Sequence, residues 1–167
     1  VLIGEDGWLF STEEFGVDKD RTQLITDHLD FILQTAKKLK TSNIDRLVTL
    51  IPAKARIHGD KLGRYKFPEA QKNLYGDTLD ILHTHNIHAP DLPIVLGQHD
   101  DAFLKTDTHW STKGTEETAK AIAVSIQDIT LPRQEFITQS TKNPTLHAGD
   151  LTRYIPGRFF GNKHEKI

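Results

Sequence analysis

The chain contains no cysteine and no methionine. Without cysteine there can be no disulfide, no thiolate nucleophile and no cysteine-ligated metal, while cytosol and cell envelope both stay open as compartments. No apolar run approaches the ~18 residues of a membrane-spanning helix. Charge is scarce in net terms: 21 basic and 23 acidic side chains leave −2 at pH 7, interspersed along the chain. The basic stripe that a phosphate backbone demands is missing, which argues against nucleic acid as a partner. There is no initiating methionine and no charged-then-apolar signal segment, so the chain reads as an excised domain. Its 167 residues suit one core, burying roughly two thirds of the unfolded surface.

The residues present alternate between strand and helix patterns. Gly4-Glu5-Asp6-Gly7 followed by Trp8-Leu9-Phe10 reads as a turn feeding a strand. Leu24, Ile25, Leu29, Ile32, Leu33, Ala36 and Leu39 recur at three and four, predicting an amphipathic helix over about 20–40, with Asp18 or Asp20 as its cap. Residues 46–51 form an apolar run stopped by Pro52, the pattern of a strand buried on both faces of a parallel sheet. Further expectations are a helix over about 68–85, a short strand near 87–92, and a helix capped by Ser111 or Thr112 with Ala119, Ile122, Ala123 and Ile126 inward. The alternation predicts an α/β domain, a mainly parallel sheet flanked by helices, with sites at the carboxyl ends of strands.

The most informative chemistry is Asp107-Thr108-His109-Trp110, followed by Gly114. A carboxylate two residues before a histidine can hold one imidazole nitrogen and leave the other to take a proton from a hydroxyl. Trp110 adds a flat wall suited to excluding water or stacking on a sugar ring. Lys54 and Arg56 follow the 46–52 run and are weaker substrate-binding candidates, solvated cations being the plainer reading. Arg153 and Tyr154, with Arg158, could contact an anionic sugar. A rival metal reading rests on His83, His85 and His88 and on His99, Asp100 and Asp101; their spacings match no metal motif, and no metal or other cofactor is required.

Four elements in order carry a resemblance: Gly4-Glu5-Asp6-Gly7-Trp8-Leu9-Phe10, Ile51-Pro52-Ala53-Lys54, Asp107-Thr108-His109-Trp110 with Gly114, and Gly149-Asp150-Leu151. Together they resemble the alginate O-acetyltransferase family, an SGNH-hydrolase-like group that acetylates exopolysaccharide in the bacterial periplasm. The resemblance implies that Asp107 orients His109, that His109 is the general base for a serine, and that the acetyl-enzyme is resolved by a polysaccharide hydroxyl. It also implies a periplasmic or envelope location, a polysaccharide acceptor, and an acetyl donor relayed by a membrane acyltransferase. One residue separates Asp and His, as in that family, whereas most SGNH esterases have two. The family carries its nucleophile later, on a Gly-Thr/Ser-Ser-Tyr-like turn. None of Ser11, Ser42, Ser111, Ser125 or Ser140 lies on such a turn, and no oxyanion hole can be placed. The expectation is therefore one SGNH-like domain over 1–167, a fragment lacking the segment with the nucleophile. Two alternatives stay open: a carbohydrate acetylesterase, and a non-catalytic carbohydrate-binding or scaffolding relative.

Overall fold

Two short hairpin-like ladders and five helices frame the site in the computed structural model, which describes residues 1–17, 19–130, 134–135, 137, 145–156 and 164–166. Asp18, Ser140 and Arg158 lie outside the described residues, as does the side chain of Asp20. Strands β1 (Leu2–Ile3) and β2 (Leu9–Phe10) pair antiparallel, as do β3 (Leu146–Ala148) and β4 (His164–Lys166). The helices are α1 (Lys19–Thr41), α2 (Lys54–Ile57), α3 (Leu74–Thr84), α4 (Leu92–Leu96) and α5 (Thr112–Ser125).

Helix α1 turns Leu29, Ile32, Leu33 and Ala36 onto Leu79 and Leu82 of α3 and onto Ile87, forming one apolar cluster. Leu24 of the expected stripe is half exposed. A second cluster joins Trp8 and Phe10 to Ala55, Leu92, Leu96 and Phe103 beneath the site. At roughly 25 cal/mol per Å² of apolar area removed from water, such clusters are the main favourable term in folding.

The structure corrects several expectations. Residues 46–51 are not a strand buried on both faces: one parallel bridge joins Leu47 to His88, and Ile51 is 71% exposed. The bridge is made by Val48 N donating to His88 O at 2.8 Å and His88 N donating to Arg46 O at 3.1 Å. Among the described residues this is the parallel pairing present, so the predicted sheet is reduced to a bridge while the strands proper are antiparallel. The helix expected from 68 begins at Leu74, behind a 3-10 turn at Glu69–Gln71. The segment after 87 holds one bridge and then turns into α4, whose N-cap Asp91 accepts from Ile94 N at 3.4 Å. On α5, Ala119 and Ala123 are exposed; Gly114 and Thr118 are buried, and Ala121 and Ile122 are partly buried. Contact sets that phase: a Cβ at Gly114 would fall 2.0 Å from Ala102 O, so the helix must present Gly114 to that backbone.

Candidate active site

Residues 102–111 form a tight antiparallel loop that lifts three side chains to one edge. Leu104 N donates to His109 O at 3.1 Å and Ser111 N to Ala102 O at 3.0 Å, closing the stem, with a bridge between Phe103 and Trp110. Ser111 ends the loop and starts α5 by accepting from Gly114 N at 3.1 Å, as the capping pattern predicts. Asp107, Thr108 and His109 occupy the tip. From below, the tip is pinned by Lys54.

Lys54 is the clearest correction to the sequence reading. It is buried, and its Nζ donates to the carbonyls of Leu9 at 2.8 Å, Leu104 at 2.7 Å, Lys105 at 2.9 Å and Asp107 at 3.0 Å. The ammonium also stands 4.9 Å from the Trp8 ring centre and 5.3 Å from that of Phe10. A buried cation whose protons are shared among carbonyls supports the loop from within instead of standing solvated, and it lines the cleft beside His109 from below. Arg56 is likewise engaged within the protein, donating to Lys72 O at 2.6 Å and to Gln71 O, with its guanidinium against Phe67 and Tyr75. Arg153 and Tyr154 stack on each other, 4.9 Å from guanidinium carbon to ring centre, and do not line the cleft.

Asp107 is buried and accepts four hydrogen bonds. Oδ1 takes His109 Nδ1 at 2.6 Å and the His109 amide at 3.0 Å, while Oδ2 takes His147 Nε2 at 2.7 Å and the Asp150 amide at 2.9 Å. Burial by itself pushes this carboxyl up. The bonds from His147, His109 and the two amides outweigh it, and hold the group well below the usual carboxylate range. An ionised carboxylate has no proton to give, so both imidazole nitrogens facing it carry hydrogen. Neutral His109 is thereby fixed as the Nδ1–H tautomer, with an unprotonated Nε2 on its outer edge. Its side chain is 78% exposed. The hydrogen bond and the charge of Asp107 raise the imidazole above its ordinary range, assisted by Asp150.

The late turn completes the site. Asp150 accepts from Thr108 N at 2.9 Å and from Thr108 Oγ1 at 2.6 Å, so it braces the loop tip from outside. Gly149 makes this approach possible, because a Cβ there would lie 2.1 Å from Thr106 O. Gly149-Asp150-Leu151 carries the resemblance in the sequence, but no sequence spacing gives His147 or Asp150 a role. The signal that could have found them is a histidine and an aspartate flanking a glycine in a segment otherwise short of apolar pattern.

Ligand atoms of Asp107, His109 and Asp150 lie within 4.8 Å of one another, a spacing a metal ion could span. Both carboxylates already accept protein N–H or O–H donors on each oxygen, so the hydrogen-bonded arrangement accounts for the cluster. The histidines of the rival metal reading do not converge: His83, His85 and His88 bond to the carbonyls of Ala89, Ile81 and Ser125.

A cleft of about 650 Å³ opens beside His109, walled by Trp110, Phe103, Pro52 and Ile51 on its apolar side and by Ser11, Glu13 and Glu14 on its polar side. Trp110 meets Phe103 edge-on at 6.5 Å, and its indole Nε1 is buried with no hydrogen-bond partner among the described residues. Burial raises the Glu14 carboxyl against the Ala55 amide it accepts at 2.7 Å. Ser11 shares the cleft, but its Oγ accepts from Glu13 N at 3.2 Å as a cap. Ser125 Oγ donates to Ile122 O, and Ser111 Oγ to Asp101 O.

An α/β frame presenting Asp-x-His at a helix-capping loop is the arrangement expected of an SGNH-type hydrolase-like domain. The comparisons with known proteins are specific. The family model described as "SGNH hydrolase-like domain, acetyltransferase AlgX" matches residues 1–165, and the chain belongs to that family. "Probable alginate O-acetylase AlgJ" of Pseudomonas aeruginosa is 35% identical over 162 residues, covering 93% of this chain and 41% of the relative. The protein of that name from Pseudomonas fluorescens is 34% identical over 163 residues, again covering 93% and 41%. Among solved structures, the O-acetyltransferase domain of Pseudomonas putida AlgJ superposes with a TM-score of 0.86 at 31% identity, over 99% of this chain and 61% of that one. Pseudomonas aeruginosa AlgX shares the fold, with a TM-score of 0.70 at 18% identity. The chain thus spans about two fifths of the length of these curated relatives. No helix among the described residues is long and apolar enough to cross a membrane.

Proposed function

We propose that this domain supplies the acid–base half of an O-acetyltransferase that acetylates an alginate-like exopolysaccharide in the periplasm or cell envelope. The observation that carries the reading is the 2.6 Å bond from His109 Nδ1 to a carboxylate held ionised, which leaves Nε2 as a base at the mouth of a cleft. In the first half-reaction Nε2 takes the proton of a serine hydroxyl as that oxygen attacks the acetyl carbonyl, and returns it to the departing donor group. In the second, Nε2 takes the proton of a sugar hydroxyl as it attacks the acetyl-serine, and returns it to the serine oxygen. Asp107 stays ionised throughout and stabilises the imidazolium formed in each step. This reading does not place the serine among the described residues.

Trp110 is assigned as the wall against the acceptor sugar, its ring the surface on which the sugar packs. The exposed Arg153–Tyr154 pair offers a charged, stacking contact for a uronate further along the chain. A membrane acyltransferase is the expected source of the acetyl group. Support comes from the relatives' names, alginate O-acetylase and O-acetyltransferase domain.

The test is acetyl transfer from an aryl acetate to an alginate-type oligosaccharide by the full-length protein. His109→Ala should lose about 10⁴-fold in kcat with an unchanged melting temperature. Near-normal turnover by that variant would falsify the assignment. Release of free acetate with no acetylated sugar would favour the esterase alternative, and binding of sugar without turnover in the unsubstituted protein would favour the carbohydrate-binding one.

A further inference from the structure

The geometry points to His147 as a positioning residue for this same site: its Nε2–H clamps the outer oxygen of Asp107 and so aims the inner oxygen at His109. The inference rests on the reading of His109 as the base. Asp107 is the centre of a chain, His147–Asp107–His109, with bonds of 2.7 and 2.6 Å to different oxygens. A carboxylate bonded through one oxygen can swing about its Cβ–Cγ bond. Held at both oxygens it cannot, and the imidazole it carries inherits that orientation. The clamp comes from a distant segment, since 40 residues separate the two partners. His147 sits on β3 with its side chain half-buried, and the Asp150 amide beside it bonds to the same oxygen.

His147 also has an electrostatic effect with a definite sign. Its donor withdraws charge density from Asp107, which weakens the hold of the carboxylate on the His109 proton. Without it, His109 keeps its proton to higher pH and is a poorer base near neutrality. The other groups facing this pair are Asp150 at 3.9 Å from His109, Lys54 beneath the Asp107 carbonyl, and Glu13 and Glu14 across the cleft. Each remains in the variants below, so the change in pH profile reports His147 alone.

The experiment exploits the fact that a glutamine amide can overlay Nε2 of histidine, whereas an asparagine amide overlays Nδ1. In the full-length protein, with an aryl acetate as substrate, His147→Gln should keep kcat and the acid limb of the rate profile near those of the unsubstituted enzyme. His147→Asn should lose about tenfold or more in kcat with little change in KM, and its acid limb should move to higher pH by about half a unit. Equal rates and limbs for His147→Asn and the unsubstituted enzyme would overturn the proposal. So would equal losses in Gln and Asn variants of unchanged melting temperature. Imidazole nitrogen-15 shifts in the unsubstituted protein test the clamp with no substitution at all: an unprotonated His147 Nε2 refutes it. His109→Ala measured in parallel separates the two claims. If His109→Ala is inactive and His147→Asn normal, only the clamp falls; if His109→Ala is active, the base assignment falls first.

Discussion

At the residue scale the site is organised around one buried carboxylate with more donors than a surface aspartate could collect. Four N–H groups converge on Asp107, and this is why it stays ionised in a place where burial opposes charge. The consequence passes to His109. Its proton affinity is raised by Asp107, so the free base forms only above the ordinary imidazole range near 6.5. The acid limb of kcat/KM should therefore lie above pH 6.5, and acetyl transfer should be fastest on the mildly alkaline side. A limb below that value would show that another group is titrating. The linkage to stability runs in opposite directions for the two partners. The depressed carboxyl of Asp107 stabilises the fold above its unfolded value near 3.9, and this contribution is lost as pH falls toward its folded value. The raised imidazole of His109 stabilises the fold below about 6.5, and that contribution is lost as pH rises through its folded value. The exposed group of the pair is thus expected to set the activity profile, and the buried one acid tolerance.

At the scale of elements, the site is a junction of two short pieces held by the contacts between them. The 102–111 loop is closed by its two backbone bonds and by the Ser111 cap, and its tip is braced by the turn between β3 and the 3-10 segment Asp150–Tyr154. That brace depends on Gly149. Replacing it with alanine puts a methyl group 2.1 Å from Thr106 O, against backbone that cannot rotate away. Gly149→Ala should destabilise the protein by about 2 kcal/mol or more and release Asp150 from Thr108. Urea unfolding would measure the first effect and the acetyl-transfer assay the second. Full stability with full activity would mean that the turn has room the geometry denies. Helix α5 shows the same economy of contact, since Gly114 against Ala102 determines which of its faces is buried.

At the scale of the whole molecule, Lys54 is the tie between the N-terminal ladder and the 102–111 loop. Its four carbonyl acceptors lie at Leu9 in β2 and at 104, 105 and 107 in the loop, so one ammonium joins segments about a hundred residues apart. Lys54→Met keeps the length and the contact with Trp8 and Phe10 while removing the donors. It should cost about 3 kcal/mol, measured by chemical unfolding, because charged hydrogen bonds are lost and buried carbonyls are left short of partners. An unchanged midpoint would show that the loop is held by its other contacts alone. The prediction for activity is a loss larger than simple destabilisation explains, since the Asp107 carbonyl is one of the four anchors.

The sequence alone determined the parts that depend on local pattern. Asp107 and His109 are two residues apart just ahead of a helix start, a spacing that lets them meet on a loop tip, and Ser111 caps α5 because a serine before a helical stripe has a nearby amide to accept from. The helix of residues 20–40 and the α/β class followed from periodicity in the same way. The tertiary structure decided everything that depends on contacts between distant segments. Lys54 read as a surface cation because charge usually seeks water; only the fold shows the ring of carbonyls that replaces that water. His147 and Asp150 carried no spacing relation to Asp107, since the bonds linking them cross about forty residues and depend on a turn that closes only where a glycine allows it. Local order is written in neighbours along the chain, but a buried carboxylate takes its donors from neighbours in space.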